Sequence, residues 1–304
     1  MPPVETTLRP RGPYALRLVA GGTRGGTARF ADGVLALAFE ADGAPACARV
    51  WQQRDGLLQV RLDSPAPDAA LARLRFLLAT EDDHTEFLRR FARDPLLGDV
   101  TRRLQGLRPL RTATVAHALL RAMCGQLIQA REAARIEARI VASVRPQHGG
   151  LRLPPGRDDL AGLSPAWLAS RGLAARRGAA LVRVLRELDP ERLHEVDTPT
   201  AVARLVRERT LGPWSAGVVC VEGLGRYDHG LVGDLGLVKL ATVLLRRPAT
   251  SEDTEELLAP YGEWAGLASV YLLAGVRVDP KAHGTTHWNP TAGPDRPRRS
   301  AAAA

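Results

Sequence analysis

The sequence predicts an α+β amino-terminal antiparallel sheet domain followed by an all-α bundle. Three observations predict it. Short alternating segments separated by Gly-Gly, Ala-Asp-Gly and Arg-Asp-Gly fill residues 14–63, helical periodicity replaces them next, and strand signals nearly vanish beyond residue 108.

Taken in chain order, the segments YALRLVA, TARFA, GVLALAFEA, ACARVWQQ and LLQVRLDS alternate apolar and polar residues between turn signals, so all are expected as strands. PDAALARLRFLLAT and DHTEFLRRFARDP carry apolar residues at helical spacing, with Asp83 placed to cap the second. These elements make an α+β domain expected over residues 1–108. A helical domain is expected over 109–282, from TVAHALLRAMCGQL, REAARIEARIVASV, SPAWLAS, RRGAALVRVLREL, TPTAVARLVRER, PWSAGVVCVEGLG, LGLVKLATVLL and SEDTEELLAPYGEWAGLASVYLLAGV. Pro199 behind Thr198 suits a first helical turn, and the acids of SEDTEELL suit a helix N-terminus. QHGGLRLPPG, Gln147 to Gly156, is expected as a loop, and residues 283–304 as a flexible tail.

The formal charge is +9, and of 42 basic residues all but Lys239 and Lys281 are arginine, whose planar fork suits phosphate. A polyanionic partner fits, although the Ala, Arg, Gly and Pro content also fits a GC-rich genome that uses arginine everywhere. No apolar run approaches the ~20 residues of a membrane helix, so no membrane partner is expected. Met1-Pro-Pro-Val-Glu lacks the features of a secretory signal, and Cys47, Cys124 and Cys220 stand far apart without metal-ligand spacing. A reducing cytoplasm is the expectation. His283 and His287 are four apart, but the flanking Gly-Thr-Thr and Asn-Pro oppose a helix, so they read as tail rather than ligands.

Leu205 to Gly217 places a helix, a tight turn and another helix within a few residues. Such a turn exposes backbone N–H groups that seat a phosphate oxygen, or it is an ordinary corner relieved by Gly212. Taken alone, Asp234 before LGLVKL is an N-cap, Leu127 is a core leucine and Trp214 packs in a helical core.

The run Thr210-Leu211-Gly212-Pro213-Trp214-Ser215-Ala216 is similar to the Gly-hydrophobic-Gly-x-x-Thr-Ala hairpin of the helix-hairpin-helix DNA glycosylases, with Thr210 for the first glycine and Ser215 for threonine. Gly125-Gln126-Leu127 resembles the Gly-Gln-hydrophobic segment of the bacterial alkyl-base branch, the 3-methyladenine DNA glycosylase II type. Gly172-Leu-Ala-Ala-Arg-Arg-Gly resembles that branch's Gly-Leu-Ser-x-x-Lys helix start, with Arg177 at the basic position. DHTEFLRRFARDPLLGDV and QGLRPLR resemble its link between sheet and helices, so the likeness spans most of the chain.

The resemblance implies an all-α helix-hairpin-helix glycosylase bundle and a monofunctional DNA glycosylase of base excision repair. Such an enzyme flips alkylated purines, of the 3-methyladenine and 7-methylguanine type, and hydrolyses the N-glycosidic bond to leave an abasic site. Asp234 takes the catalytic position, Trp214 a base-stacking or pocket position, and Gln126 and Leu127 the wedge. Thr210, Leu211, Gly212, Ser215, Ala216 and Arg177 take DNA-backbone positions. Trp214 stands in the slot where bifunctional relatives carry a Schiff-base lysine, and the chain lacks the four clustered cysteines of iron-sulfur members. Val218 replaces an aromatic residue, for which Tyr261, Trp264 and Tyr271 are candidates to compensate. No cofactor or metal is expected beyond a monovalent cation at the hairpin. The partner is double-stranded DNA with damaged bases, bound by a nucleoid-associated monomer. A non-catalytic DNA binder and a glycosylase for another lesion class stay open as alternatives.

Overall fold

The computed structural model describes residues 2–23 and 25–278, so the predicted tail at 283–304, with His283 and His287, lies outside the described residues. Five strands, β1 (Val4–Leu8), β2 (Ala28–Ala31), β3 (Val34–Ala41), β4 (Ala44–Gln52) and β5 (Leu58–Asp63), form an antiparallel sheet in the order β1-β5-β4-β3-β2. Four of the expected strands are present and the fifth is corrected. YALRLVA forms the short helix α1 (Leu16–Val19), burying Leu16 and Val19 at helical rather than strand spacing. Gln52 organises that turn, accepting from the Leu16 amide at 2.9 Å and donating to the Tyr14 carbonyl at 2.9 Å. The unforeseen β1 is an edge strand with a mostly exposed pattern, held by its pairing with β5, so its own residues carry little period-two signal.

One sheet face packs Leu35, Leu37, Phe39, Val50, Val60 and Leu62 beneath α2 (Pro67–Leu77). Next come α3 (Thr85–Arg90) and α4 (Gly98–Arg103); Asp83 accepts from the Thr85 amide at 2.9 Å, at the predicted helix start. The helical region comprises α5 (Val115–Gly125), α6 (Ala130–Val144), α7 (Arg157–Ala161), α8 (Pro165–Ser170), α9 (Ala175–Glu187), α10 (Thr198–Leu205), α11 (Pro213–Val218), α12 (Leu235–Leu245), α13 (Ser251–Leu258) and α14 (Ala265–Val278). Asp197, rather than Thr198, caps α10, which leaves Pro199 inside the first turn. The last predicted segment is broken at Gly262, whose φ of 52° ends one helical stretch before α14 begins.

Helices α5, α6, α9, α10 and α11 share one apolar core. A second core gathers α12, α13 and α14 with Phe87, Phe91, Leu97 and Leu107, so it runs across residue 108. The predicted loop at 147–156 is instead a small hairpin, Gln147–His148 with Leu151–Arg152, turned by Gly149 and Gly150 at positive φ. Its Arg152 amide donates to the Gly26 carbonyl at 2.9 Å, and Leu151 and Leu153 pack on Ala38 of β3, bolting helices to sheet.

Several arginines serve this junction. Arg108 is 1% exposed and donates to the carbonyls of Ala79, Asp82, Arg11 and Pro13. Arg111 pairs with Asp82, which also accepts from the Tyr227 hydroxyl at 2.6 Å, and Arg145 joins Glu40 of the sheet to Asp159 of α7.

His84 is buried against the Tyr227 ring, and burial together with the Arg108 charge pushes its pKa down to about 4. Between pH 6.5 and 4 the unfolded chain therefore takes up a proton that the folded chain refuses, and stability is lost as pH falls through that window. The loss attributable to this residue should reach on the order of 3 kcal/mol by pH 4. Urea midpoints across pH 7 to 4 should fall less for His84→Phe than for the native chain; parallel curves would contradict this account.

Candidate active site

The hairpin is built from local chemistry. Helix α10 ends at Leu205, and Gly212 caps α11 with φ −86° and ψ −178°, an extended conformation open to any residue. Thr210 also avoids positive φ, so its replacement of glycine carries no backbone strain. The turn is tied internally: one Glu208 carboxylate oxygen accepts from the Thr210 hydroxyl at 3.1 Å and from its amide at 3.3 Å, and the Glu208 carbonyl accepts from the Leu211 amide at 2.8 Å. Pro213 occupies the first position of α11, where a missing N–H costs nothing, and the Trp214 and Ser215 amides that follow have no intrahelical acceptor.

Leu211, Ser215 and Ala216 are buried, so the predicted backbone-binding role can be filled at these positions only by main-chain groups. Gln126, expected at the wedge, is engaged within the protein. Its amide donates to the Thr210 carbonyl at 2.6 Å and to the Ser215 hydroxyl at 3.0 Å, which makes it a brace between the end of α5 and the hairpin. Leu127 behaves otherwise. It is 80% exposed with φ at +55°, a left-handed conformation unfavourable for a leucine and held at the protein surface by the braced residue before it.

Asp234 caps α12, one carboxylate oxygen accepting from the Gly236 amide at 2.7 Å. The other accepts from the indole N–H of Trp214 at 2.9 Å. The N-cap reading and the site reading thus hold together, since the cap occupies one oxygen and the hairpin reaches the second. Trp214 fits closely against the end of α5: a Cβ on Gly125 would lie 2.6 Å from the indole Cη2, so only glycine leaves room for the ring. On the far side, Leu273 of α14 packs on Gly236, where a Cβ would meet its Cδ2 at 2.5 Å. The structure brings Gln126, Ser215, Trp214 and Asp234 into one connected set, with Leu127 beside it.

Other expectations are not met. Tyr261 and Tyr271 are buried in the second helical core, their hydroxyls on Asp94 at 3.2 Å and the Leu107 carbonyl at 3.3 Å, and Trp264 packs on Phe87. Their partners lie instead on α3 and on the segments that flank α4. Val218 is buried as well. Arg177 lies on the first turn of α9, whose cap residue Ala174 offers no side-chain acceptor. Sequence reasoning missed Gly125, Leu273 and Glu208 as site residues. Gly125 left a signal as the first residue of the Gly125-Gln126-Leu127 motif, and Glu208 as an acid two residues before Thr210 able to bond the turn. Among the described residues no cluster of histidine, cysteine or acidic side chains can hold a metal ion, and no helix is long and apolar enough to cross a membrane.

No protein-family model matches the chain. A Mycobacterium tuberculosis protein described as a probable bifunctional transcriptional activator/DNA repair enzyme AlkA is 29% identical over 226 residues, covering 73% of this chain and 44% of that protein. The chain therefore spans less than half the length of that relative. A Bacillus subtilis DNA-3-methyladenine glycosylase is 26% identical over 203 residues, covering 63% of this chain and 67% of the relative. Among solved structures, the 3-methyladenine DNA glycosylase of Archaeoglobus fulgidus superposes with a TM-score of 0.79 at 19% identity, over 90% of this chain and 99% of that one. The chain has the fold of the helix-hairpin-helix DNA glycosylases and, among them, resembles the 3-methyladenine glycosylases.

Proposed function

We propose that the chain is a monofunctional DNA glycosylase that releases alkylated purines from duplex DNA and leaves an abasic site. The observation that carries this reading is the Trp214–Asp234 hydrogen bond, because it fixes a carboxylate beside the hairpin that would seat the DNA backbone. Leu127 at 80% exposure is the group that would fill the gap left by an extruded nucleotide, offsetting part of an unstacking cost of a few kcal/mol.

The chemistry follows from the leaving group. An N3- or N7-alkylated purine carries positive charge in the duplex. When the N-glycosidic bond breaks, its electron pair returns to the base nitrogen, and the base leaves neutral without an acid. Positive charge then develops on the sugar, where the Asp234 carboxylate stabilises it and orients the water, whose oxygen bonds to C1′ as its proton passes to the carboxylate and on to solvent. The indole face of Trp214 supplies a stacking surface that favours a cationic base. No side-chain amine occupies the hairpin slot, so no Schiff base forms.

Free bases released from methylated genomic DNA, detected by mass spectrometry, test the reading. Asp234→Asn keeps an N-cap side chain, so it should fold and bind duplex while releasing no methyladenine or methylguanine; release at the native rate would refute the assignment. Trp214→Phe removes the N–H and keeps an aromatic face, and single-turnover release should slow by roughly tenfold or more. In the Asp234→Asn background, Leu127→Ala should lower the ratio of affinities for a duplex with one methylated purine over an undamaged one. An unchanged ratio would exclude the wedge.

A further inference from the structure

Beside the hairpin, α9 and the end of α10 enclose a hollow of about 520 Å³, and a neighbouring one of about 510 Å³ shares Arg183 and Glu187 with it. The first is lined by Arg183, Arg204, Arg207 and Arg209 against Glu187 and Glu208. The two acids do not cancel the four cations. Glu208 is spent within the hairpin, one oxygen on Thr210 and the other on Arg183. Arg204, Arg207 and Arg209 are exposed and make no ion pair among the described residues. Arg204 lies in the last turn of α10 and Arg207 just beyond its end. Glu187 also faces the groove, so four guanidinium groups outweigh two carboxylates by two charges, and that surplus on a concave surface suits an extended anion.

We propose that this groove is a second seat for the DNA backbone, taking phosphates of the same duplex that the hairpin holds, farther along the strand. This rests on the glycosylase reading for the orientation of the duplex. Continuity supports it: Arg207, Glu208 and Arg209 belong to the hairpin turn itself, so the groove borders the segment that leads into the α11 amides. The chemistry is that of planar forks on phosphate oxygens, which position a duplex and read no sequence.

The test measures binding of the full chain to an undamaged duplex of about 20 base pairs by fluorescence anisotropy over a range of salt. The double variant Arg204→Ala/Arg207→Ala should lower the slope of log K against log salt by about 2, and affinity at low salt by on the order of tenfold. A control of equal charge change, Arg49→Ala/Arg61→Ala, removes two exposed arginines paired across β4 and β5 and should leave the slope unchanged. An unchanged slope in the groove variant overturns the proposal, as does an equal fall in the control, which would mean net charge alone is felt. Base release from methylated DNA is scored separately: a native chain that releases no base, yet loses slope only through the groove variant, upholds the groove and refutes the glycosylase reading.

Discussion

Arg121, buried in the middle of α5, is the constraint on which the site depends. Its guanidinium reaches Glu137 of α6 at 3.2 Å on one side and Glu222, in the π-turn that continues α11, at 2.7 Å on the other. His117 shares Glu137 at 2.9 Å. Buried ions of this kind contribute little net stability, but removing one partner strands the rest at a cost of about 3–5 kcal/mol. The arrangement therefore admits one register of α5 against α6 and α11. Because α5 ends in Gly125, Gln126 and Leu127 while α11 begins with Trp214, that register also sets wedge and indole relative to each other.

From that fixed frame the site is assembled by short-range contacts. Gln126 joins the end of α5 to the hairpin, Gly125 makes room for Trp214, and Trp214 reaches the carboxylate that starts α12. Asp234 lies at the boundary of the two helical cores, with Trp214 packed on the second core and Ala216 in the first. A carboxylate held by two donors is pre-organised, so little reorganisation is left for the moment when charge develops. The aromatic surface is modest. With Val218 buried, the three remaining aromatic candidates turned inward and Leu273 beside Gly236, the indole of Trp214 is the aromatic face next to the carboxylate among the described residues.

The arginine content divides by use. Arg108, Arg111, Arg121 and Arg145 are consumed within the fold, binding carbonyls and carboxylates that join sheet and helices. Others around the hairpin stay unpaired. A composition count treats both groups alike, and only burial and partner lists distinguish charge spent on structure from charge offered to a polyanion.

The sequence by itself determined the classes of element and the linear order of the site. Periodicity located β2 to β5 and most helices, because alternation and 3.6-residue spacing are local properties. The motifs at Gly125 to Leu127 and Thr210 to Ala216, with Asp234 after them, were legible for the same reason. What only the tertiary structure decided were relations between distant segments. β1 exists through its pairing with β5, and the 147–156 hairpin through its seat on β3. Gln126 turned out to be a brace because Thr210 and Ser215 stand in reach of its amide. Tyr261 and Tyr271 were withdrawn from the site because their hydroxyls bond Asp94 and the Leu107 carbonyl. Hydrogen-bond partners and buried faces belong to pairs of segments, and a linear pattern carries no term for a pair that folding has yet to bring together.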